Sequence, residues 1–328
     1  MTPKLAKTSA DRELRRRQRS LASELLTIAA DGDVSEPPPV SPARLLFVVG
    51  CPRSGTTWVR DILANHPATI AGRETHMYQD VFTPLVRGGR DEGWTRLLLV
   101  DDKHRRRGTG GHLQAWIDRE AFLSLVVRAM ASKAPSLEEV AEQLIAELYD
   151  HILAVRGATA QDVLVDKTPW HLRFAGRILR RFPDAKVVEV LRDGRDVCVS
   201  MEKLDRAWAP DDRVTQIDRW IEAVETGIAL RNDAEVADRV HLVRYEDLKT
   251  DLDGEITSLL RFAGLDHSPA FVEKMGAAAD FSNHRHTGDG QFRRKGVVGD
   301  WTNAFSDADV ALFRDKVGSL FDRAGYEY

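Results

Sequence analysis

"RLLFVVGCPRSGTTWVRDILANH", residues 44–66, is the stretch whose reading decides the fold of this chain. Leu45 to Val49 form an unbroken apolar run without polar alternation, the pattern of a short strand covered on both faces. Val59, Ile62 and Leu63 then recur at helical spacing, so "TTWVRDILANH" reads as a helix whose N-terminus points back into the turn containing Gly50 and Gly55. A strand, a glycine turn and a helix N-terminus in that order cradle a phosphate with backbone amides and the helix dipole.

Further apolar runs follow at "VLV" (163–165), "KVVEVL" (186–191) and "VHLV" (240–243), separated by helical patterns. Short buried strands alternating with helices predict an α/β fold: a doubly wound, central parallel sheet with a P-loop-like turn and helices on both faces. Residues 85–160 differ in character. "VRGGRDEGW" and "KHRRRGTGGH" are rich in glycine and arginine, "KHRRRG" (103–108) reads as a solvated loop, and helices are expected around 116–131 and 136–156. The segment is read as a helical, acceptor-side insertion within one domain spanning 43–328. Residues 1–42, with "DRELRRRQRS" and "DGDVSEPPPVSP", read as a flexible, partly helical extension that ends in a proline-rich linker.

Composition narrows the function. A chain of 328 residues, 43% of them apolar, can bury a large core, and a formal charge of −4 does not suit a protein that coats nucleic acid. The two cysteines, Cys51 and Cys198, form no spaced framework, so neither a disulfide scaffold nor a zinc site is expected, and a reducing, cytoplasmic setting is the simpler reading. No run approaches the ~20 apolar residues of a membrane span, and no secretory signal is expected. Oligomeric state leaves no trace in the sequence.

The turn has the glycine spacing of the nucleotide-hydrolase pattern GxxxxGK[ST], with Thr57 supplying the hydroxyl, but Thr56 stands where the lysine should be and the sole cation is Arg53. A triphosphate needs that lysine and magnesium against its charge. Without them the turn can still hold one phosphate, which favours a nucleotide whose second group is something else. A mixed phosphate–sulfate anhydride fits, with Arg53 over the bridging region.

"PRSGTTW" (52–58) resembles the 5′-phosphosulfate loop, PKSGTTW, of sulfotransferases that use 3′-phosphoadenosine 5′-phosphosulfate, with arginine in place of lysine at Arg53. The resemblance implies that Arg53, Ser54, Gly55, Thr56 and Thr57 hold this co-substrate and that Trp58 stacks on its base. "VLRDGRDVCVS" (190–200) is similar to the family's 3′-phosphate motif, which assigns the 3′-phosphate to Arg192 and Ser200; the family often has proline where Gly194 stands, so a looser turn is expected. An arginine at a strand's carboxyl end and a hydroxyl on the next helix converge where α/β proteins bind ligands. "FRRKGVVGDWTNAFS" (292–306) resembles the RKGxxGDWKNxF segment of the cytosolic enzymes and implies that Arg294, Lys295 and Gly296 meet the 3′-phosphate. "VRYEDLKTD" (243–251) resembles the YEDL stretch, which would bring Tyr245 near the adenine.

For the chemistry, "GRETHMYQDVF" (72–82) resembles the glutamate-bearing EVHFF segment of the heparan sulfate sulfotransferases, whose general base maps onto Glu74. The cytosolic enzymes use a histidine, so His76 is the rival. "VLVDKTPWHL" (163–172) looks like their EKTP segment, whose lysine reaches the sulfuryl group or the acceptor, and this implies that Lys167 acts beside Arg53. The implied reaction is in-line transfer of a sulfuryl group to a hydroxyl, less readily an amine, of a small-molecule or carbohydrate acceptor, and no metal is required. The mixed motifs resemble bacterial members of the family that act on diverse metabolites. Two alternatives stay open: a nucleotide kinase, with Asp166 ending a magnesium-holding strand, and an inactive nucleotide-binding scaffold.

Overall fold

The computed structural model describes residues 43–106, 112–204, 209–279 and 296–328, with 16, 17, 20, 21, 23–25, 27 and 37–41 before them. Most of the 1–42 extension, part of "KHRRRG", and both Arg294 and Lys295 therefore lie outside the described residues. In chain order the principal elements are β1 (Arg44–Gly50), α1 (Thr56–Ala64), β2 (Thr69–Ala71), α2 (Thr83–Arg106), α3 (Arg119–Met130), α4 (Leu137–Val155), β3 (Val163–Lys167), α5 (Ala175–Arg181) and β4 (Lys186–Leu191). They continue with α6 (Gly194–Glu202), α7 (Arg213–Arg231), β5 (Val240–Arg244), α8 (Tyr245–Thr250), α9 (Leu252–Ala263), α10 (Pro269–Ala279), α11 (Asp307–Val317) and α12 (Leu320–Arg323).

The chain divides into two compact units. The first to be considered, Arg44–Gly72 with Gln161–Tyr328, holds the sheet. Its five strands are all parallel, in the order β2-β3-β1-β4-β5. From Leu46 onward β1 is buried at every position, as are all of β3 and all of β4 after Lys186, which is why these runs lack alternation. Helices cover both faces. On one, Val59, Ile62 and Leu63 of α1 pack with Leu46, Val48, Val165, Val188 and Val190 and with Ile256, Leu259 and Leu260 of α9. A second cluster gathers Leu191, Val197 and Met201 with Trp220 of α7 and Phe313 and Phe321 of the C-terminal helices. Each such large side chain, fully buried, contributes roughly 1.5–3 kcal/mol of transfer free energy.

Strand order positions the site. The chain leaves β1 toward β2 and β3 but leaves β4 toward β5, so the loops after these adjacent strands diverge and open a crevice at their carboxyl ends. The register sets Val48 beside Lys167 and Gly50 beside Val190, so the glycine turn, Lys167 and Arg192 all emerge at one edge of the sheet.

The other unit comprises Arg73–Ala160 and the first 43 residues. A single turn of π-helix at Tyr78–Phe82 runs into α2. The left-handed backbone of Gly89 kinks that helix, and a Cβ on Gly88 would stand 2.5 Å from Gly93, so two glycines let the segments either side of the kink touch. "KHRRRG" departs from the expected loop: Lys103–Arg106 form the last turn of α2, because Arg105 folds back onto Asp101 with Nε 2.9 Å from its carboxylate. Asp118 and Ser136 cap α3 and α4 with their side chains. In α4, Val140, Leu144, Leu148, Ile152 and their neighbours bury one face at helical spacing. Among the described residues no helix is long and apolar enough to cross a membrane.

Candidate active site

Both glycines of the turn after β1 are demanded by space. Gly50 has φ 152°, and a Cβ there would collide with the carbonyl of Val190 on β4. Gly55 has φ 106°, and a Cβ would lie 2.5 Å from the Tyr245 ring. Gly55 also caps α1 without any side-chain cap, and no acidic residue occupies the first turn, so the positive end of the helix faces the turn uncompensated. Among the described residues, Arg53 is one of three non-glycine residues with left-handed φ, at 80°. This backbone sends its side chain across the crevice, where Nε donates to Ser200 Oγ at 3.0 Å. Ser54 is 1% exposed, and its Oγ has no hydrogen-bond partner. A buried, unpartnered hydroxyl beside a helix N-terminus and an arginine fits an anion.

A second set of side chains converges on Arg192. Its carbonyl accepts from Trp220 Nε1 at 2.9 Å, which fixes the residue at the end of β4. Its guanidinium carbon sits 4.2 Å above the Tyr245 ring, and Nη2 donates to Val297 O at 3.0 Å, next to Gly296. Nε is buried without a partner. The alternative in which Arg192 merely pairs with Asp196 is weak, because that contact is 3.5 Å and the Asp196 carboxylate is taken up elsewhere. Asp196 accepts from the backbone of Gly299 at 2.9 Å and of Trp301 at 3.0 Å. Beside it, Arg195 pairs with Asp193 and lies 3.9 Å over the Trp301 ring. The "RDGRD" turn thus holds the "GDW" segment against the sheet. Glu246 ties in the third motif by accepting from Asp193 N at 3.0 Å and Tyr326 Oη at 2.9 Å, and burial raises its pKa.

Gly194 reverses the looser turn expected from the sequence. A Cβ there would meet the Trp220 ring at 2.6 Å and Phe313 at 2.9 Å, so this glycine marks tight packing of α6. Trp58 is 7% exposed within the core, its Nε1 donates to Ala279 O at 3.0 Å, and Tyr245 meets it edge-on with centroids 5.5 Å apart. The ring supports the floor of the turn rather than standing open to a base. Tyr245, 2% exposed, is likewise packed, beneath Arg192 and against Gly55, and burial raises its pKa. Thr56 is buried and Thr57 half-buried in the first turn of α1. Lys167, at the end of β3, is 6% exposed. Cys51, next to the turn, is buried and its thiol pKa is pushed up by desolvation, which keeps it protonated and out of the chemistry.

Glu74 and His76 belong to the other unit. They are bonded to one another, with His76 Nε2 and Glu74 Oε2 2.7 Å apart, and both are partly shielded. The second left-handed non-glycine residue is His76, with φ 54°. Its carbonyl accepts from Asp80 N at 2.8 Å, and Trp116 Nε1 donates to Arg73 O at 2.9 Å, which pins the segment from both sides.

Sequence reasoning missed Asp196, Trp220 and Glu246 as positioning residues. An acid in the first turn of a helix reads as a dipole partner, and nothing local reports that its lone pairs serve a segment a hundred residues away. It also missed the cluster of Asp80, His104 and His112 in the helical unit, which no spacing signature announces.

Comparison with known proteins adds the following. A model described as the sulfotransferase family matches residues 46–269. Protein-tyrosine sulfotransferase 1 of Danio rerio is 27% identical over 231 residues, 70% of this chain and 55% of that protein. Protein-tyrosine sulfotransferase 2 of Gallus gallus is 26% identical over 228 residues, 68% of this chain and 52% of that protein. The chain thus spans about half the length of these relatives. In fold it is similar to the sulfotransferase domain of the Synechococcus PCC 7002 olefin synthase, with a TM-score of 0.54 and 20% identity over 90% of this chain and 98% of that one. It is also similar to the mouse sulfotransferase SULT7A1 complexed with PAP, with a TM-score of 0.52 and 14% identity over 87% and 88% of the two chains.

Proposed function

The chain belongs to the sulfotransferase family, and on that premise we propose that it transfers a sulfuryl group from 3′-phosphoadenosine 5′-phosphosulfate to a hydroxyl, less readily an amine, of a small-molecule or carbohydrate acceptor. The observation that carries this reading is the meeting of Arg53 with Ser200 at 3.0 Å, in the crevice that also receives Arg192 with an unpartnered buried Nε. Three motifs far apart in sequence there build two separate positions for anions, as a nucleotide phosphorylated on both its 3′ and 5′ sides requires.

In this proposal the amides at the start of α1, Arg53 and Ser54 hold the 5′ side. Arg192, Ser200 and the segment from Gly296 hold the 3′-phosphate, joined by Arg294 and Lys295. When bound, the donor supplies the sulfuryl group and a stable nucleotide leaving group. Arg53 and Lys167 stabilise charge on the leaving oxygen, a contribution of about 3 kcal/mol for each well-placed cation. Glu74 removes the acceptor's proton, and the hydrogen bond to His76 holds its carboxylate in one orientation. The transferred group carries less charge than a γ-phosphate, so these cations suffice for the transfer.

The names of the relatives favour a second reading of the acceptor, namely that the hydroxyl is the phenol of a tyrosine within a polypeptide. Incubation with ³⁵S-labelled donor and a panel of alcohols, phenols, sugars, amines and tyrosine-containing peptides, with products identified by mass, tests both. Sulfation within the small-molecule arms supports the first reading, and sulfation confined to peptides supports the second. Binding of the nucleotide with no labelled product in any arm would leave an inactive scaffold as the answer.

A further inference from the structure

Among the described residues, one group of side chains has the composition of a metal centre and has no role in the sulfuryl transfer proposed above: Asp80, His104 and His112. Asp80 lies in the π turn before α2, His104 in the last turn of that helix, and His112 just ahead of Leu113–Ala115. His112 Nδ1 is 3.1 Å and His104 Nε2 3.5 Å from the same oxygen, Asp80 Oδ2. All three potential ligand atoms lie within 4.8 Å of one another. A tetrahedral ion with bonds of about 2.0–2.1 Å separates its ligand atoms by about 3.3 Å, midway between the two observed spacings.

Three further observations point to a ligand. Asp80 Oδ2 and His112 Nδ1 are buried, and neither makes a hydrogen bond, so they face each other without the alignment a proton between them would impose. The His104 ring stacks on His112 with centroids 4.0 Å apart, and the His76 ring lies tilted against it at 4.1 Å, so the three imidazoles are packed together. Finally, His112 holds φ 119° and ψ −176°, a region that side-chain-bearing residues enter at a cost of roughly 1–3 kcal/mol and keep only when their surroundings enforce it. Two imidazoles and one carboxylate match zinc or cobalt, whereas calcium and magnesium prefer all-oxygen sets.

We propose that Asp80, His104 and His112 bind one divalent first-row transition ion, zinc or cobalt, leaving a fourth position for water. The ion joins the end of α2 to the π turn and fixes the His112 ring. His76 packs against that ring, so the ion orients the Glu74–His76 pair without touching it.

The test uses the full chain, stripped with a chelator, dialysed, and titrated with cobalt chloride and then with zinc chloride. The expected result is one saturating equivalent of cobalt with the intense visible bands of tetrahedral coordination, displaced by zinc, and a zinc-dependent rise in melting temperature. His104→Gln and Asp80→Asn should abolish the bands and lower affinity by more than the ~10–100-fold that losing a supporting contact costs. Glu74→Gln should retain both bands and affinity. Circular dichroism verifies that the variants fold, and the wild-type spectrum stands even if one does not. Wild-type protein without saturable uptake, cobalt bands of octahedral weakness, or unchanged uptake by both ligand variants would each overturn the proposal.

Discussion

Replacing Arg192 by alanine isolates the 3′-phosphate position proposed above. Arg192 is 9% exposed, and its Nη2 is engaged with Val297 O, but Nε is buried with nothing to bond. One hydrogen bond from that group to a phosphate is worth about 1.5–3 kcal/mol, or ~10- to 150-fold in affinity. Isothermal titration calorimetry with adenosine 3′,5′-bisphosphate should therefore show a loss in that range for Arg192→Ala. The same titration with adenosine 5′-phosphate should change by less than threefold, because that ligand has nothing for Arg192 to grip. The substitution also removes the cation over Tyr245, a stability cost of about 0.5–2 kcal/mol that a thermal melt reports separately. Equal losses for the two nucleotides, in protein that remains folded, would show that Arg192 serves the structure alone.

Glu74→Gln should leave bisphosphate affinity unchanged and remove turnover, measured with labelled donor on the best acceptor of the panel; full activity would move the base to His76. Gly194→Ala forces a methyl group against Trp220 and Phe313 and should destabilise by about 1–3 kcal/mol, lowering the melting temperature by several degrees and weakening bisphosphate binding through the Trp220 contact to Arg192. His241, on β5 against Phe262, has its pKa lowered from 6.5 by burial. As pH falls below about 6.5 the unfolded chain takes up a proton that the folded protein refuses, so stability declines until the folded-state pKa is passed. His241→Phe keeps the ring stack and should flatten melting temperature against pH in that window, and an unchanged slope would place the titration elsewhere.

The sheet was legible because β1, β3 and β4 are buried on both faces and cannot be written without apolar runs. β2 was not, since Thr69–Ala71 is three residues long and only partly buried. The glycine turn announced itself through Gly50 and Gly55, whose φ angles and close neighbours leave no other residue possible. Elsewhere glycine misled. Gly88, Gly89 and Gly93 broke the helical pattern of α2 on paper, yet they serve a kink and a close contact inside it. Gly194 reads as slack and proves to be compression. Trp58, an aromatic beside a nucleotide motif, reads as a base platform, although the carbonyl of Ala279 draws it into the core. Asp80, His104 and His112 are gathered by a turn, a kinked helix and a strained backbone, none of which leaves a local pattern to read.

The most direct measurement is a crystal structure of the complex with adenosine 3′,5′-bisphosphate. Density should place the 5′-phosphate on the amides that open α1, beside Arg53, and the 3′-phosphate against Arg192 and Gly296. A nucleotide bound elsewhere, or in the crevice with neither phosphate at those positions, would contradict it.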